Sequence, residues 1–204
     1  MGLILAFLGP GAAWGSADGV RFPDRTAVLL GLGAGAMRVD LPDPNHPGER
    51  FGTRPRLCFD LGYEARPWLE VGADVALAML GESDSLNTIL RAGGSREVAP
   101  FTLVQAALDV RARWIAGSGR WAPFARAGAG VSALSLSAPG GLGRRDRDPT
   151  WNLGGGVELY AQHRIVLRAE GVYVGQSVHG GTRHHAVAGL ALLYALPRAV
   201  LGEP

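Results

Sequence analysis

The sequence predicts an all-β chain: a single eight-stranded antiparallel up-and-down barrel that crosses a membrane. Three observations predict it. Apolar and polar residues alternate with a period of two over runs about twice as long as an ordinary strand. One side of the longest runs carries charges of both signs, and the other side carries none. The turn-rich segments between runs alternate between long and short.

The pattern is clearest from Arg56 to Met79. Leu57, Phe59, Leu61, Tyr63 and Ala65 share one face, with Arg56, Cys58, Asp60, Gly62, Glu64 and Arg66 on the other. Pro67 and Trp68 interrupt the run. It then resumes with Leu69, Val71, Ala73, Val75, Leu77 and Met79 opposite Glu70, Gly72, Asp74, Ala76 and Ala78. Two such arms joined by a short turn make a β-hairpin. Each arm is roughly eleven residues, close to what a tilted strand needs to cross a bilayer. An apolar face toward lipid and a charged one toward a barrel interior satisfy both solvents.

The remaining elements follow in order. Residues 1–17 read as a signal peptide, with an apolar core from Leu3 to Leu8 and small residues near Ala13 to Ala17, although no basic residue precedes Arg21. The barrel is assigned to residues 18–196 and a C-terminal extension to 197–204. Strand one spans about Thr26 to Val39, with Gly31, Gly33 and Gly35 in a row on one face. That row resembles a dinucleotide loop only superficially, since no strand precedes it and no helical pattern follows. Leu41 to Thr53 is dense in Pro, Gly, Asn and Asp and reads as a long loop before strands two and three. Gly81 to Ala99 reads as a second.

Strand four, Phe101 to Ile115, sets Val104, Ala106, Leu108, Val110, Ala112 and Trp114 against Gln105, Ala107, Asp109, Arg111 and Arg113. After a turn at Gly117 to Gly119, strand five runs from Trp121 to Ser137, with Ala125, Ala127, Ala129 and Val131 opposite Phe124, Arg126 and Ser132. Pro139 to Asp148 reads as a third long loop. Strand six (Thr150 to Gln162) and strand seven (Ile165 to Val174) meet at His163-Arg164, Gly175 to Arg183 reads as a fourth long loop, and strand eight runs from His185 to Leu196. Trp68, Trp114, Trp121, Trp151 and Tyr160 fall near strand ends, where interfacial aromatic girdles belong.

Turning every polar face inward encloses Arg56, Asp60, Glu64, Arg66, Glu70, Asp74, Asp109, Arg111, Arg113, Arg126, Glu158, Arg168 and Glu170. Near balance of sign is what a filled interior requires, because unpaired buried charge is costly. Eight strands leave a lumen that side chains fill, which argues against a wide pore. These residues are therefore expected to form structural ion pairs, with no catalytic, cofactor or metal role. The net charge of +2 is too small to point to nucleic acid. All twenty basic residues are arginine, suited to bidentate carboxylate pairing in confined places. The single cysteine, Cys58, excludes an intrachain disulfide.

The segments Ala122 to Leu134 (APFARAGAGVSAL), Gly154 to Val174 and Gly189 to Leu196 (GLALLYAL) resemble the small OmpA-like outer-membrane β-barrel domain family. The resemblance implies the outer membrane of a Gram-negative bacterium, a non-enzymatic surface scaffold, contact with outer-membrane lipid and lipopolysaccharide, and a monomer. The last strand is similar to the insertion signal read by the barrel-assembly machinery, with Gly189, Leu192 and Tyr194 at the expected spacing, but it closes on Leu196 in place of a terminal Phe. Two other readings compete. A lipid A-modifying hydrolase would need a set such as Ser177, His179 and Glu170, and His179, His184 and His185 also invite a metal reading. A soluble lipocalin-like binder would invert the faces, with its apolar side chains inside.

Overall fold

Eight long strands close on themselves in chain order. The computed structural model describes residues 28–43, 46–82, 100–114, 120–136, 145–162, 164–178 and 181–196. The strands are β1 (Val28–Asp43), β2 (His46–Arg66), β3 (Leu69–Glu82), β4 (Pro100–Arg113), β5 (Trp121–Leu136), β6 (Arg145–Gln162), β7 (Ile165–Val178) and β8 (Gly181–Leu196). Each pairs antiparallel with its sequence neighbours, and β8 pairs with β1. Closure leaves no open edge among them, so every strand finds backbone partners on both sides.

The registers fix the barrel's shape. Stepping sideways from Val28 leads through Tyr63, Val71, Val110, Ala127, Leu153, Tyr173 and Ala186 and returns to β1 at Arg38. The circuit climbs ten residues, from position 28 to position 38. A stagger of that size requires strands tilted by about 40° to the barrel axis. Ten residues along such a strand rise about 25 Å, the height of the apolar band of a membrane-spanning barrel.

The two-residue period decides which side chains meet which environment. Leu57, Phe59, Leu61, Val71, Val75, Leu108, Val110, Leu153, Leu167 and Leu192 point outward and are exposed, while Asp60, Glu64, Glu70, Asp109, Arg111 and Arg168 are buried within. The enclosed apolar residues sit above and below the charged belt. Met37, Val39, Phe51, Leu80, Phe101 and Leu103 pack together toward the upper end, where β1 meets β2 and β3 meets β4. Leu29, Val166, Ala191, Leu193 and Ala195 pack with Tyr160 at the lower end.

Close approach explains two of the glycines. A Cβ on Gly156 would run into the carbonyl of Ala169 on the neighbouring strand, so this corner of the wall tolerates no side chain. Gly81 has a φ of 89° where the β3–β4 register shifts between Met79 and Gly81, a bulge conformation that a side chain would strain.

Three stretches read from sequence as loops are strand in part or for most of their length. β1 continues to Asp43 and β2 begins at His46, so most of Leu41 to Thr53 is a paired ribbon. Pairing between β7 and β8 likewise continues to Val178 and Gly181, within the Gly175 to Arg183 stretch. β6 starts at Arg145, inside the predicted Pro139 to Asp148 loop. Ladder hydrogen bonds override local turn propensity here, and the Pro42 irregularities are accommodated by register shifts between Val39 and Asp43. The segments that remain long between strands are residues 83–99 and 137–144. The predicted signal peptide, the C-terminal extension and the turn at Gly117 to Gly119 lie outside the described residues.

Candidate functional site

Twelve of the thirteen residues assigned to the lumen from sequence meet in one network, because they occupy the inward parity of β2 to β7. Its lower part is built on Arg111, Arg113 and Arg168. Arg111 contacts Glu70 and donates to Asp60 at 3.0 Å and Asp109 at 3.1 Å. Arg113 reaches Glu64 at 2.7 Å and Glu158 at 2.7 Å, and also contacts Glu70. Arg168 pairs with Glu158 at 2.6 Å and Glu70 at 3.0 Å, with Asp60 at 3.9 Å. The Arg168 guanidinium lies 5.5 Å from the centre of the Phe124 ring, a cation–π contact inside the barrel.

Arg126 carries the network upward. It donates to Asp74 at 2.5 Å, Asp109 at 2.6 Å and Glu170 at 3.0 Å. Arg56 adds a looser contact to Asp74 at 3.7 Å. Five guanidiniums thus serve seven carboxylates, and most of the carboxylates bridge two arginines. Sharing is efficient because each planar guanidinium presents five donors in a fixed fork.

Arg66 does not join them. A register shift between Glu64 and Arg66 places it opposite Leu69, and it is exposed at the short-turn rim. The bulge adds one residue, so parity counted from Glu64 fails there. Tyr160 also departs from the girdle assigned to it. It faces inward, packs on the lower apolar cluster and donates to Glu158 at 2.9 Å. The tryptophans of the proposed girdle are half exposed on the outer face. Trp68, Trp114 and Trp121 ring the lower rim with Tyr63 and Tyr194, while Trp151 stands higher, its ring centre 5.7 Å from that of Tyr173.

Sequence reasoning missed a second polar chain, above the first. The backbone N–H of Asp40 donates to His185 Nδ1 at 3.1 Å. That leaves the ring proton on Nε2, which donates to Gln176 Oε1 at 2.9 Å. Gln176 Nε2 then donates to Asp148 Oδ2 at 2.6 Å. The signal was available, since Gln176 and Asp148 share parity with Glu170 and Glu158, but both fell inside stretches read as loops. His184 and His185 stand on opposite sides of the wall: His185 is buried inside, whereas His184 is exposed and stacked on Tyr173 at 5.4 Å. Among the described residues no cluster of three or more His, Cys, Asp or Glu side chains could hold a metal ion. His179 lies outside the described residues.

The geometry defines a class: a closed eight-stranded β-barrel with an apolar outer wall and a charged, ion-paired interior. No family model and no curated protein matches the sequence. Among solved structures it is similar to Neisserial surface protein A (NspA), with a TM-score of 0.61 at 12% identity, covering 83% of this chain and 97% of that one. The N-terminal barrel domain of OprF from Pseudomonas aeruginosa gives 0.48 at 14% identity, covering 82% of this chain and 97% of that one. A major outer membrane protein from Thermus thermophilus gives 0.48 at 12% identity, covering 83% and 98%. The likeness to NspA bears out the fold, a closed eight-stranded antiparallel barrel.

Proposed function

We propose that the chain is an integral outer-membrane protein of a Gram-negative bacterium, a non-enzymatic scaffold that holds its external strand ends at the cell surface. The observation that carries this reading is the division of the wall. Between the Val28 row and Arg38, among the described residues, the outward side chains include no charge, while twelve charged residues are enclosed behind them. A lipocalin-like binder needs the opposite arrangement, with an apolar cavity inside and charges in water.

The hydrolase reading finds little support in the residues it would need. Glu170 faces inward and pairs with Arg126, whereas Ser177 is exposed. Both ring nitrogens of His185 are already engaged inside the wall. Fractionation tests the proposal: the mature protein should accompany the outer membrane and run as a compact band in detergent until boiled. Recovery in the soluble periplasm would overturn it. Release of fatty acid from purified lipopolysaccharide by the folded protein would replace the scaffold with the hydrolase.

A further inference from the structure

The outward wall is not uniform. It presents large side chains, including Leu57, Phe59, Val75, Leu108 and Val131, and small ones, such as Ala125, Ala127 and Ala129 on β5. At mid-height across β6, β7, β8 and β1 a group of small ones interrupts residues such as Leu32, Leu153 and Leu192. The sideways row Ala36, Ala188, Gly171 and Gly155 carries almost no bulk, and the row beneath it sets Ala34 and Ala169 on either side of Leu190. An open groove of about 540 Å³ is lined here by Ala34, Ala169, Gly171 and Ala188 together with Val157 and Leu190. A Cβ added to Gly171 would meet nothing closer than a backbone oxygen at 4.0 Å, so the depression is open on the lipid side.

Immediately above this groove the wall changes character. Arg38 faces Ala186, Ala186 faces Tyr173, and Tyr173 faces Leu153, forming the next row up. His184 stands one outward position above Ala186, stacked on Tyr173. Trp151 lies over Gly175, whose missing side chain gives the indole room. Arg38 and His184 are both exposed, and among the described residues no carboxylate forms an ion pair with either. They stand about 25 Å above the lower tryptophans, where hydrocarbon gives way to headgroups.

We propose that this face is a seat for one lipid of the outer leaflet, an acylated molecule with a phosphate-bearing headgroup. The assignment rests on the transmembrane reading above and gives it a specific lipid partner. A dent in the wall must be filled by hydrocarbon, because an unfilled one forfeits dispersion contacts. Bulk lipid can supply that, so the groove alone selects nothing. Selection comes from the rim. Arg38 offers a planar fork for phosphate oxygens. His184 adds a ring N–H, and Tyr173 with Trp151 provides the amphipathic surface that aromatics give at an interface. Headgroup and chain are thus recognised by adjoining rows of the same four strands.

Native mass spectrometry of the full-length protein, folded in detergent, tests this with three probes: diphosphorylated hexaacyl lipid A, the same lipid after phosphate removal, and diacylglycerol, which carries no phosphate. The wild-type protein should retain one copy of the phosphorylated lipid roughly tenfold more strongly than either other probe, as the loss of about 1.4 kcal/mol of phosphate contact implies. Arg38→Ser with His184→Ser should erase that preference, leaving the dephosphorylated lipid unaffected. Ala188→Phe, which fills the groove, should weaken retention of both forms of lipid A. Equal retention of all three probes, or variants that bind like wild type, would overturn the lipid seat. The boiling shift on the same samples separates the two levels: a folded barrel without selective retention loses only the seat, whereas a chain that never folds in detergent loses the transmembrane reading and the seat with it.

Discussion

Replacing Arg168 with Met should destabilise the barrel far more than its loss of volume would suggest. The side chain is fully enclosed and holds Glu158 at 2.6 Å and Glu70 at 3.0 Å, with both partners buried. Methionine keeps most of the packing against Phe124 but leaves those carboxylates short of a cation. Removing one member of a buried ion pair costs roughly 3–5 kcal/mol, because the remaining charge stays desolvated. Glu70 and Glu158 keep contacts to Arg111 and Arg113, so the lower part of that range, about 3 kcal/mol, is expected here. With a urea slope of about 2 kcal/mol per molar, the midpoint should fall by roughly 1.5 M. The assay is urea unfolding in lipid vesicles, followed by tryptophan fluorescence and by the boiling shift on gels. Adding Glu158→Gln to Arg168→Met should recover part of the loss, since it removes the orphaned charge. An unchanged midpoint for Arg168→Met would refute the claim that the interior is a tightly coupled charge network. A double variant no better than the single would instead show that packing, and not charge, sets the cost.

Three further outcomes follow from the same geometry. Leu61→Arg or Val75→Arg, on the outward band, should each cost about 2–4 kcal/mol in vesicle unfolding, whereas Thr53→Arg, at the exposed rim, should cost little. Gly156→Val should block folding into the compact gel form, because its side chain would collide with the Ala169 carbonyl. Cys58 is half-buried with its thiol toward Asp60, so a bulky maleimide should label it slowly in the folded barrel and fully after boiling in detergent.

The wall was legible from sequence because its two faces meet opposite solvents. Leu57 to Ala65 and Leu69 to Met79 alternate without a break, as strands do when their two faces meet different environments. The strand ends were less legible. Pro42, Gly48 and Gly52 give Leu41 to Thr53 a turn-like composition, yet β1 and β2 run through most of it. Neighbouring strands supply hydrogen bonds that local propensity does not anticipate. Parity also fails wherever the count slips by one, which is why Arg66 lies outside while Glu64, two residues earlier, lies within. Tyr160 illustrates a different limit. An aromatic near a strand end satisfies the girdle rule, but its hydroxyl found Glu158 inside.

The most direct test is a cysteine scan along Leu69 to Met79 in a Cys58→Ser background, with each position spin-labelled in lipid vesicles. Odd positions should respond to oxygen dissolved in the bilayer and resist a water-soluble nickel relaxant. Even positions, from Glu70 to Ala78, should resist both. If the odd positions proved sheltered and the even ones open to the aqueous reagent, the wall would face the other way and the barrel would not be a membrane protein.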